Sequence, residues 1–405
     1  MKCRFCQATL EHVFVDLVNA PASNSYLTKE QLDEPEVFYP LKIYVCDACK
    51  LVQIDEYKKS DEIFNKDYAY FSSYSTSWLA HARAYVYKMI EKLSLDQHTF
   101  VTEIASNDGY LLQYFKEQNI PCLGIEPTTS TAKVACEKGI DVIEAFFNSQ
   151  LAKSLKKSDL ILGNNVLAHV PDINDFVQGL KLALKEKGTI TMEFPHLLNI
   201  INDNQFDTLY HEHFSYLSFY TVKQIFENHG LKLYDVEKLP THGGSLRIYA
   251  THNENNNLMV NKRVYDLELE EERLGIMDIK SYMNFQEKAD NVKYNLIHFL
   301  VQAKKEHKKV MAYGAAAKGN TLLNYAGIKK DLIACVVDKS PHKQGKFLPA
   351  SHIPIVSEEA IKEAKPDYIL ILPWNIKDEV INQLAYVKKW NGKFVVAVPT
   401  LEVIE

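Results

Sequence analysis

The sequence predicts an α/β protein in three parts, and three observations carry that prediction. Two Cys-x-x-Cys pairs stand near the start, apolar strands alternate with amphipathic helices from residue 99, and the same alternation resumes at residue 309. The divisions fall at 1–85, 86–255 and 256–405, the last opening with a helical linker. A chain of 405 residues suits several cores, because single ones seldom grow much past about 250 residues.

Composition narrows the classes. With 46% hydrophobic and 24% charged residues and no long Pro/Gly/Ser tract, the whole chain is expected to fold. A formal net charge of −6 exerts no overall pull on nucleic acid, so none is expected as a partner, although a local basic pocket for phosphates remains open. No apolar run approaches the roughly 18 residues that span a bilayer, and MKCRFCQATLEHVF lacks the order of a signal peptide. No membrane partner is expected, and the location is read as cytoplasmic. The seven cysteines are therefore read as reduced and considered first for metal ligation.

In the first part, Cys3-x-x-Cys6 and Cys46-x-x-Cys49 are two knuckles, each aiming two sulfurs at one point, as tetrahedral Zn²⁺ requires. The 39 residues between them exceed the roughly 15 to 20 of common zinc ribbons, which is tolerable if Ala20 to Tyr39 is an insert hanging between the knuckles. Four unrelated reduced cysteines are the plainer alternative. A closed four-thiolate site has no open position, so the zinc would be structural. Asp67 to Ser75 is too polar for a strand core and too aromatic for an idle linker, and a helix is expected from Trp78 to Leu93.

The second part reads as strand Thr99 to Ile104, helix Tyr110 to Gln118, strand Cys122 to Ile125 and helix Ser130 to Lys138. Strands at Leu160 to Gly163 and Thr189 to Phe194 follow, with an antiparallel finish near Leu246 to Thr251. In Glu103-Ile-Ala-Ser106-Asn107-Asp108-Gly109 an acidic residue closes a strand, a polar turn follows and a helix begins, which places freed backbone amides at the ligand-collecting edge of a parallel sheet. One glycine does not satisfy the G-x-G-x-x-G pyrophosphate fingerprint, which argues against NAD. Glu126 ends the next strand near the usual position of a ribose-gripping carboxylate. Two acidic strand ends, with a sulfonium to accommodate, suit S-adenosylmethionine; Asn164 could hold its methionine end and Phe147 its adenine. An ordinary strand-to-helix connection is the alternative.

Further on, Phe206-Asp-Thr-Leu-Tyr210-His211-Glu212-His213 gathers an acid, two imidazoles and phenols. Only His titrates near neutrality unaided, so the run suits proton abstraction, with Glu212 able to fix an imidazole tautomer and Tyr210 able to donate to a developing oxyanion. A metal site, although the spacing is not H-E-x-x-H, and a satisfied structural cluster are the rival readings. In the third part, long helices are expected from Leu258 to about Lys308. Strands then follow at Lys309 to Tyr313, Leu332 to Val337, Tyr368 to Leu372 and Phe394 to Val398, with Lys318 at a strand-to-helix turn as a phosphate site would require.

These motifs together resemble the sugar C-methyltransferases that act on nucleotide-linked deoxy-keto-sugars, with dTDP-sugar C-3 enzymes among them. The likeness rests on the Cys knuckles, Tyr70-Phe-Ser-Ser73, Glu103 to Gly109, Asn165-Val-Leu-Ala-His-Val-Pro171, Glu193-Phe-Pro195, Tyr210 to His213, His242-Gly-Gly-Ser-Leu-Arg247 and Tyr313-Gly-Ala-Ala-Ala-Lys-Gly-Asn320. It implies a zinc-bearing amino-terminal domain, a central S-adenosylmethionine-methyltransferase domain and a Rossmann-like domain that helps hold the sugar nucleotide. It also implies His213 as base, with Tyr70, His169, Tyr210 and Glu212 lining the reaction site. His196, His242, Arg247, Lys318 and His342 are expected to meet the substrate, and the chain is expected to act as a monomer. Methylation at C-5, another nucleotide sugar, an NAD-dependent nucleotide-sugar dehydrogenase or epimerase, and a zinc-dependent binding module are the alternatives.

Overall fold

The computed structural model describes residues 1–63 and 71–405. It divides into two compact units: residues 1–11, 46–197 and 214–279 form the first, and residues 12–45, 198–213 and 280–405 the second. Among the described residues no helix is long and apolar enough to cross a membrane.

The first unit is built on a seven-stranded sheet. Across it run Leu231–Leu239, Ser245–His252, Leu184–Pro195, Ser158–Asn164, Val101–Ile104, Cys122–Ile125 and Asp141–Ile143. The neighbours from Leu184–Pro195 to Asp141–Ile143 pair in parallel, and only Ser245–His252 runs against them. Chain order reverses beside Val101–Ile104, whose neighbours are the second and fourth strands of the unit's sheet, and ligands collect at such a switch point. All four residues of Val101–Ile104 are buried, as befits a central strand covered on both faces. Helix Thr76–Leu93 starts where the Ser75 hydroxyl accepts from the Trp78 amide at 3.2 Å, and buries Ala82, Tyr85, Val86 and Met89 against Leu112, Phe115 and Leu160. These elements match the strand and helix positions read from periodicity to within a few residues.

The second unit carries a six-stranded sheet in the order Ile355–Val356, Val336–Val337, Val310–Tyr313, Tyr368–Ile371, Lys393–Val396 and Glu402–Ile404, parallel except for the last. Helix Phe285–Lys305 buries Phe285, Ala289, Val292, Leu296, Leu300 and Ala303 at helical spacing. Strands His12–Ala20 and Tyr39–Val45, which sequence periodicity did not single out, pair antiparallel here, and Phe14 stacks on Phe285 with ring centroids 4.4 Å apart. The residues between these strands do not hang free. Leu27 and Phe347 exchange backbone hydrogen bonds at 3.0 and 2.8 Å, and the Glu36 carboxylate accepts from the Ala350 amide at 2.9 Å.

Candidate active site

Four strands of the first unit end at one edge with polar residues. Glu103 closes Val101–Ile104, is fully buried, and has the carboxylates Glu126 and Asp108 for electrostatic neighbours. Burial and those two charges push its carboxyl well above the usual range. The turn that follows is wound tightly by Asn107 (φ 49°) and Gly109 (φ 72°), and a side chain at Gly109 would also strike Ile140 at 2.4 Å. Glu126 ties this turn to the next one: one oxygen accepts from the Asn107 amide at 2.9 Å, the other from the Thr128 amide at 2.9 Å and the Thr131 hydroxyl at 3.1 Å. Ser72 donates its amide to the Asn107 side chain at 2.9 Å, and the Ser73 hydroxyl bonds Asp108. Lys138 supplies the local positive charge, 3.5 Å from Asp108.

Ser106 packs beneath the turn against Gly124, which leaves it the necessary room, and is fully buried. Asn164 donates to the Tyr110 hydroxyl at 3.3 Å. His169 ends the short helical turn Leu167–His169 at the same edge and is half-buried. Phe147 meets Phe176 edge-on at 5.4 Å. His242, with φ 56°, lies 3.5 Å from the Asn165 amide group and edge-on to Trp78.

Glu193, absent from the residues singled out for roles, is the hub of this edge. Its carboxylate contacts His81 at 2.9 Å, Thr241 at 2.8 Å and Arg247 at 2.5 Å, so one fully buried group pins helix Thr76–Leu93, the loop carrying His242 and the antiparallel strand. Burial raises its carboxyl, but the bonds from His81 and Thr241 and the charge of Arg247 outweigh that and hold it at about 2. A depressed carboxyl stabilises the fold above its unfolded pKa near 4.5, and that contribution, on the order of 3 kcal/mol, is lost as pH falls from there toward 2. Glu193→Gln leaves the buried Arg247 guanidinium only the more distant Glu237 carboxylate, 3.8 Å away, and is expected to cost about 3 kcal/mol in urea unfolding, with the acid-side loss of stability correspondingly reduced. Equal unfolding midpoints for variant and wild type would remove the hub assignment. Of the residues expected to meet substrate, Arg247 pairs with buried Glu193 and His196 Nε2 lies 2.6 Å from buried Glu271.

The cysteine knuckles also belong to the first unit. Each repeats one geometry: the Gln7 amide bonds the Cys3 carbonyl at 3.0 Å and the Lys50 amide bonds the Cys46 carbonyl at 2.9 Å, with Gln7 and Lys50 both in the left-handed region. The sulfurs of Cys3, Cys6, Cys46 and Cys49 lie within 4.8 Å of one another, with Cys3–Cys49 and Cys6–Cys46 at 3.5 Å. Zn–S bonds of about 2.3 Å place tetrahedral sulfurs about 3.8 Å apart, so the set fits zinc. Gln53 donates to the Cys3 sulfur at 3.1 Å, the kind of outer contact that orients a ligand.

The second unit holds the histidine run. Buried Phe206, Leu209 and the short helical turn Phe206–Thr208 anchor it. Tyr210 and His213 then face each other with ring centroids 4.1 Å apart and the phenol oxygen 2.9 Å from His213 Nε2. His213 Nδ1 lies 3.1 Å from the Thr208 carbonyl. A carbonyl can only accept, so Nδ1 carries the proton and Nε2, the basic nitrogen, accepts from the Tyr210 hydroxyl. The tautomer-fixing bond expected of Glu212 is thus supplied by Thr208. His211 turns to the Pro40 carbonyl, 3.1 Å away, and Tyr39, so the two imidazoles diverge. The one group suited to a metal among the described residues is the four-cysteine cluster.

Lys318 stands in the first turn of helix Ala317–Tyr325, 4.8 Å over the Trp374 ring, with Asp207 as its electrostatic partner. Asp207 is fully buried, accepts from the Trp374 indole at 2.8 Å, and is raised by burial to about 6. His342 is exposed, whereas its neighbour Lys343 turns inward to the Ala315 carbonyl at 2.8 Å. Tyr70 lies outside the described residues.

Three family models match the chain: a domain named for zinc binding over 3–64, a methyltransferase domain over 78–236 and a C-methyltransferase C-terminal domain over 240–399. The C-methyltransferase NovU of Streptomyces niveus is 31% identical across the whole of this chain and 96% of its own length. The chain belongs to the C-methyltransferases. Among solved structures, a magnesium protoporphyrin IX methyltransferase of Synechocystis shares 13% identity over 43% of this chain and 83% of its own, with a TM-score of 0.36. A possible histamine N-methyltransferase of Thermotoga maritima shares 18% over 44% and 94%, with a TM-score of 0.34. Likenesses that slight bear on neither fold nor activity.

This C-methyltransferase depends on S-adenosylmethionine, and the acidic strand edge fits that molecule's charge. Buried Glu103 has carboxylates for neighbours, so a ligand bearing an ammonium and a sulfonium relieves the repulsion. A raised carboxyl is protonated at low pH, and the ligand favours the ionised form. Held at this edge, S-adenosylmethionine would therefore bind more tightly as pH rises and release protons on binding. Calorimetry in buffers of different ionisation enthalpy reads this directly, and proton uptake would contradict it.

Proposed function

We propose that the methyl acceptor is a nucleotide-linked 4-keto-deoxy sugar, with dTDP as the nucleotide, and that C-3 is methylated after His213 removes its proton. The observation that carries this reading is the fixed tautomer of His213, whose Nε2 is the basic nitrogen and accepts from the Tyr210 hydroxyl at 2.9 Å. A carbon acid loses a proton only where an adjacent ketone takes up the charge, and a phenol donating to the C-4 oxygen stabilises the enolate as it forms. S-adenosylmethionine, when bound, supplies a methyl on positive sulfur, which departs as a neutral sulfide and needs no acid. Glu103, Asn107 and Glu126 are assigned to hold it, and Lys318 with Lys343 to place positive charge near the substrate's diphosphate.

Around this chemistry we read the four thiolates as ligands of a structural zinc. The chain is read as a monomer in the cytoplasm, where thiols stay reduced. The reading is tested by incubating the protein with methyl-labelled S-adenosylmethionine and a dTDP-4-keto-deoxy sugar. The expected product is a sugar nucleotide heavier by one labelled methyl, attached at C-3 by NMR. Label on oxygen, or none on the sugar, would end it, and label at C-5 would move the acidic proton to the other side of the ketone.

A further inference from the structure

Zinc does not need 39 residues between its knuckles. The added chain has its own contacts within the second unit, and they converge on the histidine run. Asn24 Nδ2 donates to Glu212 Oε1 at 2.7 Å. The orientation of that amide is decided by its partner, because the reverse would set an oxygen against a carboxylate. Ser23 and Tyr26 bolt this position to the turn before helix Ala317–Tyr325. Asn320 donates to the Ser23 carbonyl at 2.6 Å, and the Tyr26 hydroxyl donates to the Ala315 carbonyl at 2.6 Å, where Lys343 also donates. Glu212, Ser23 and Asn320 are all nearly solvent-free.

We propose that Asn24 is a positioning residue for the acid–base site: its amide holds Glu212 as an ionised acceptor next to His213, so the insert between the knuckles is part of the catalytic apparatus. This rests on the assignment of His213 as base given above, with Glu212 as its neighbour in the chain. A buried carboxylate that loses a donor is more readily protonated or shifts toward its other partners, and either outcome alters the charge next to the base in the chain. Asn24 donates to Glu212, whose chain neighbours are His211 and His213, and the Tyr26 phenol feels both Glu212 and Asp338. Lys343 balances the latter, 3.7 Å from Asp338 and 5.3 Å over the Tyr26 ring.

Two substitutions of the full-length, zinc-loaded protein test this, assayed with a dTDP-4-keto-deoxy sugar. Asn24→Ala is expected to lower kcat about 10- to 100-fold, the range of a hydrogen bond to a charged group, while KM for S-adenosylmethionine stays within about twofold. Asn24→Asp keeps the shape and replaces the donor with a second carboxylate. It should lose at least as much at pH 8 and recover part of its rate as pH falls, because one of the two carboxyls then carries a proton and can donate. A merely space-filling residue would give the opposite ranking, with Asn24→Asp near wild type and no altered pH profile, and that result overturns the proposal. Should Asn24→Asp not fold, Asn24→Ala with wild-type kcat overturns it equally. His213→Asn run alongside separates the two layers: activity retained there removes the base assignment itself. If that variant is inactive while both Asn24 variants turn over normally, only the role of the insert falls.

Discussion

His213→Asn is expected to lower kcat by about 10²- to 10⁴-fold, the contribution of a positioned general base, with binding of S-adenosylmethionine unchanged within about twofold. The two ring nitrogens play different parts. Nδ1–H is committed to the Thr208 carbonyl at 3.1 Å, so Nε2 is the basic atom, and the Tyr210 hydroxyl 2.9 Å away keeps the ring aimed. An asparagine amide can imitate the hydrogen bonds and cannot accept a proton near neutrality. A second readout separates proton removal from methyl transfer. With S-adenosylmethionine withheld, the wild type in D₂O should wash deuterium into C-3 of a dTDP-4-keto-deoxy sugar, and the variant should not. Turnover within tenfold of wild type, or deuterium entering at the wild-type rate, would transfer the base role to another group.

Much of this architecture is legible from residue order. Alternating apolar strands and amphipathic helices give both parallel sheets, because that period is dictated by local geometry and burial on both faces. Glu103, Glu126 and the Asn107-Gly109 turn are equally legible, since a strand end, a polar turn and a helix start are consecutive in the chain. What periodicity does not reveal is contact between distant segments. Glu193 looks like an ordinary strand residue until His81, Thr241 and Arg247 converge on it from three other places in the first unit. Asn24 sits in a stretch without pattern, and its meaning comes from Glu212, 188 positions away. The expectation that Glu212 fixes an imidazole tautomer overlooks a backbone acceptor, the Thr208 carbonyl, which no side-chain motif records. Arg247 and His196 are further cases: each sits against a buried carboxylate, Glu193 and Glu271, that residue order does not reveal.

With the structural zinc proposed for the four-cysteine cluster bound, its removal should have the largest effect on stability. Cys49→Ser under reducing conditions is expected to take bound zinc from one per chain to near zero and to lower Tm by about 10 °C or more, since loss of a structural metal in a protein of this size costs several kcal/mol. The centre does not stand apart from the first unit. The Thr221 hydroxyl donates to the Cys49 carbonyl at 3.1 Å, Asn174 donates to the Phe5 carbonyl at 2.9 Å, and Arg4, between the first two thiols, reaches the Pro171 carbonyl at 2.7 Å. Strand Val52–Ile54, just beyond the second knuckle, pairs with Ser215–Tyr216. Loss of the metal therefore frees the knuckles and loosens the segments they hold, and hydrogen exchange should rise first at residues 3–11, 46–54 and 215–216. Cys136→Ser, which alters an exposed thiol outside the cluster, should keep its zinc and its Tm. Because four thiolates close the coordination sphere, replacing zinc by cobalt should change the visible spectrum and leave kcat alone. A cobalt protein with an altered rate would make the metal a participant in the chemistry, and an unchanged Tm after complete chelation would strip it of its structural role.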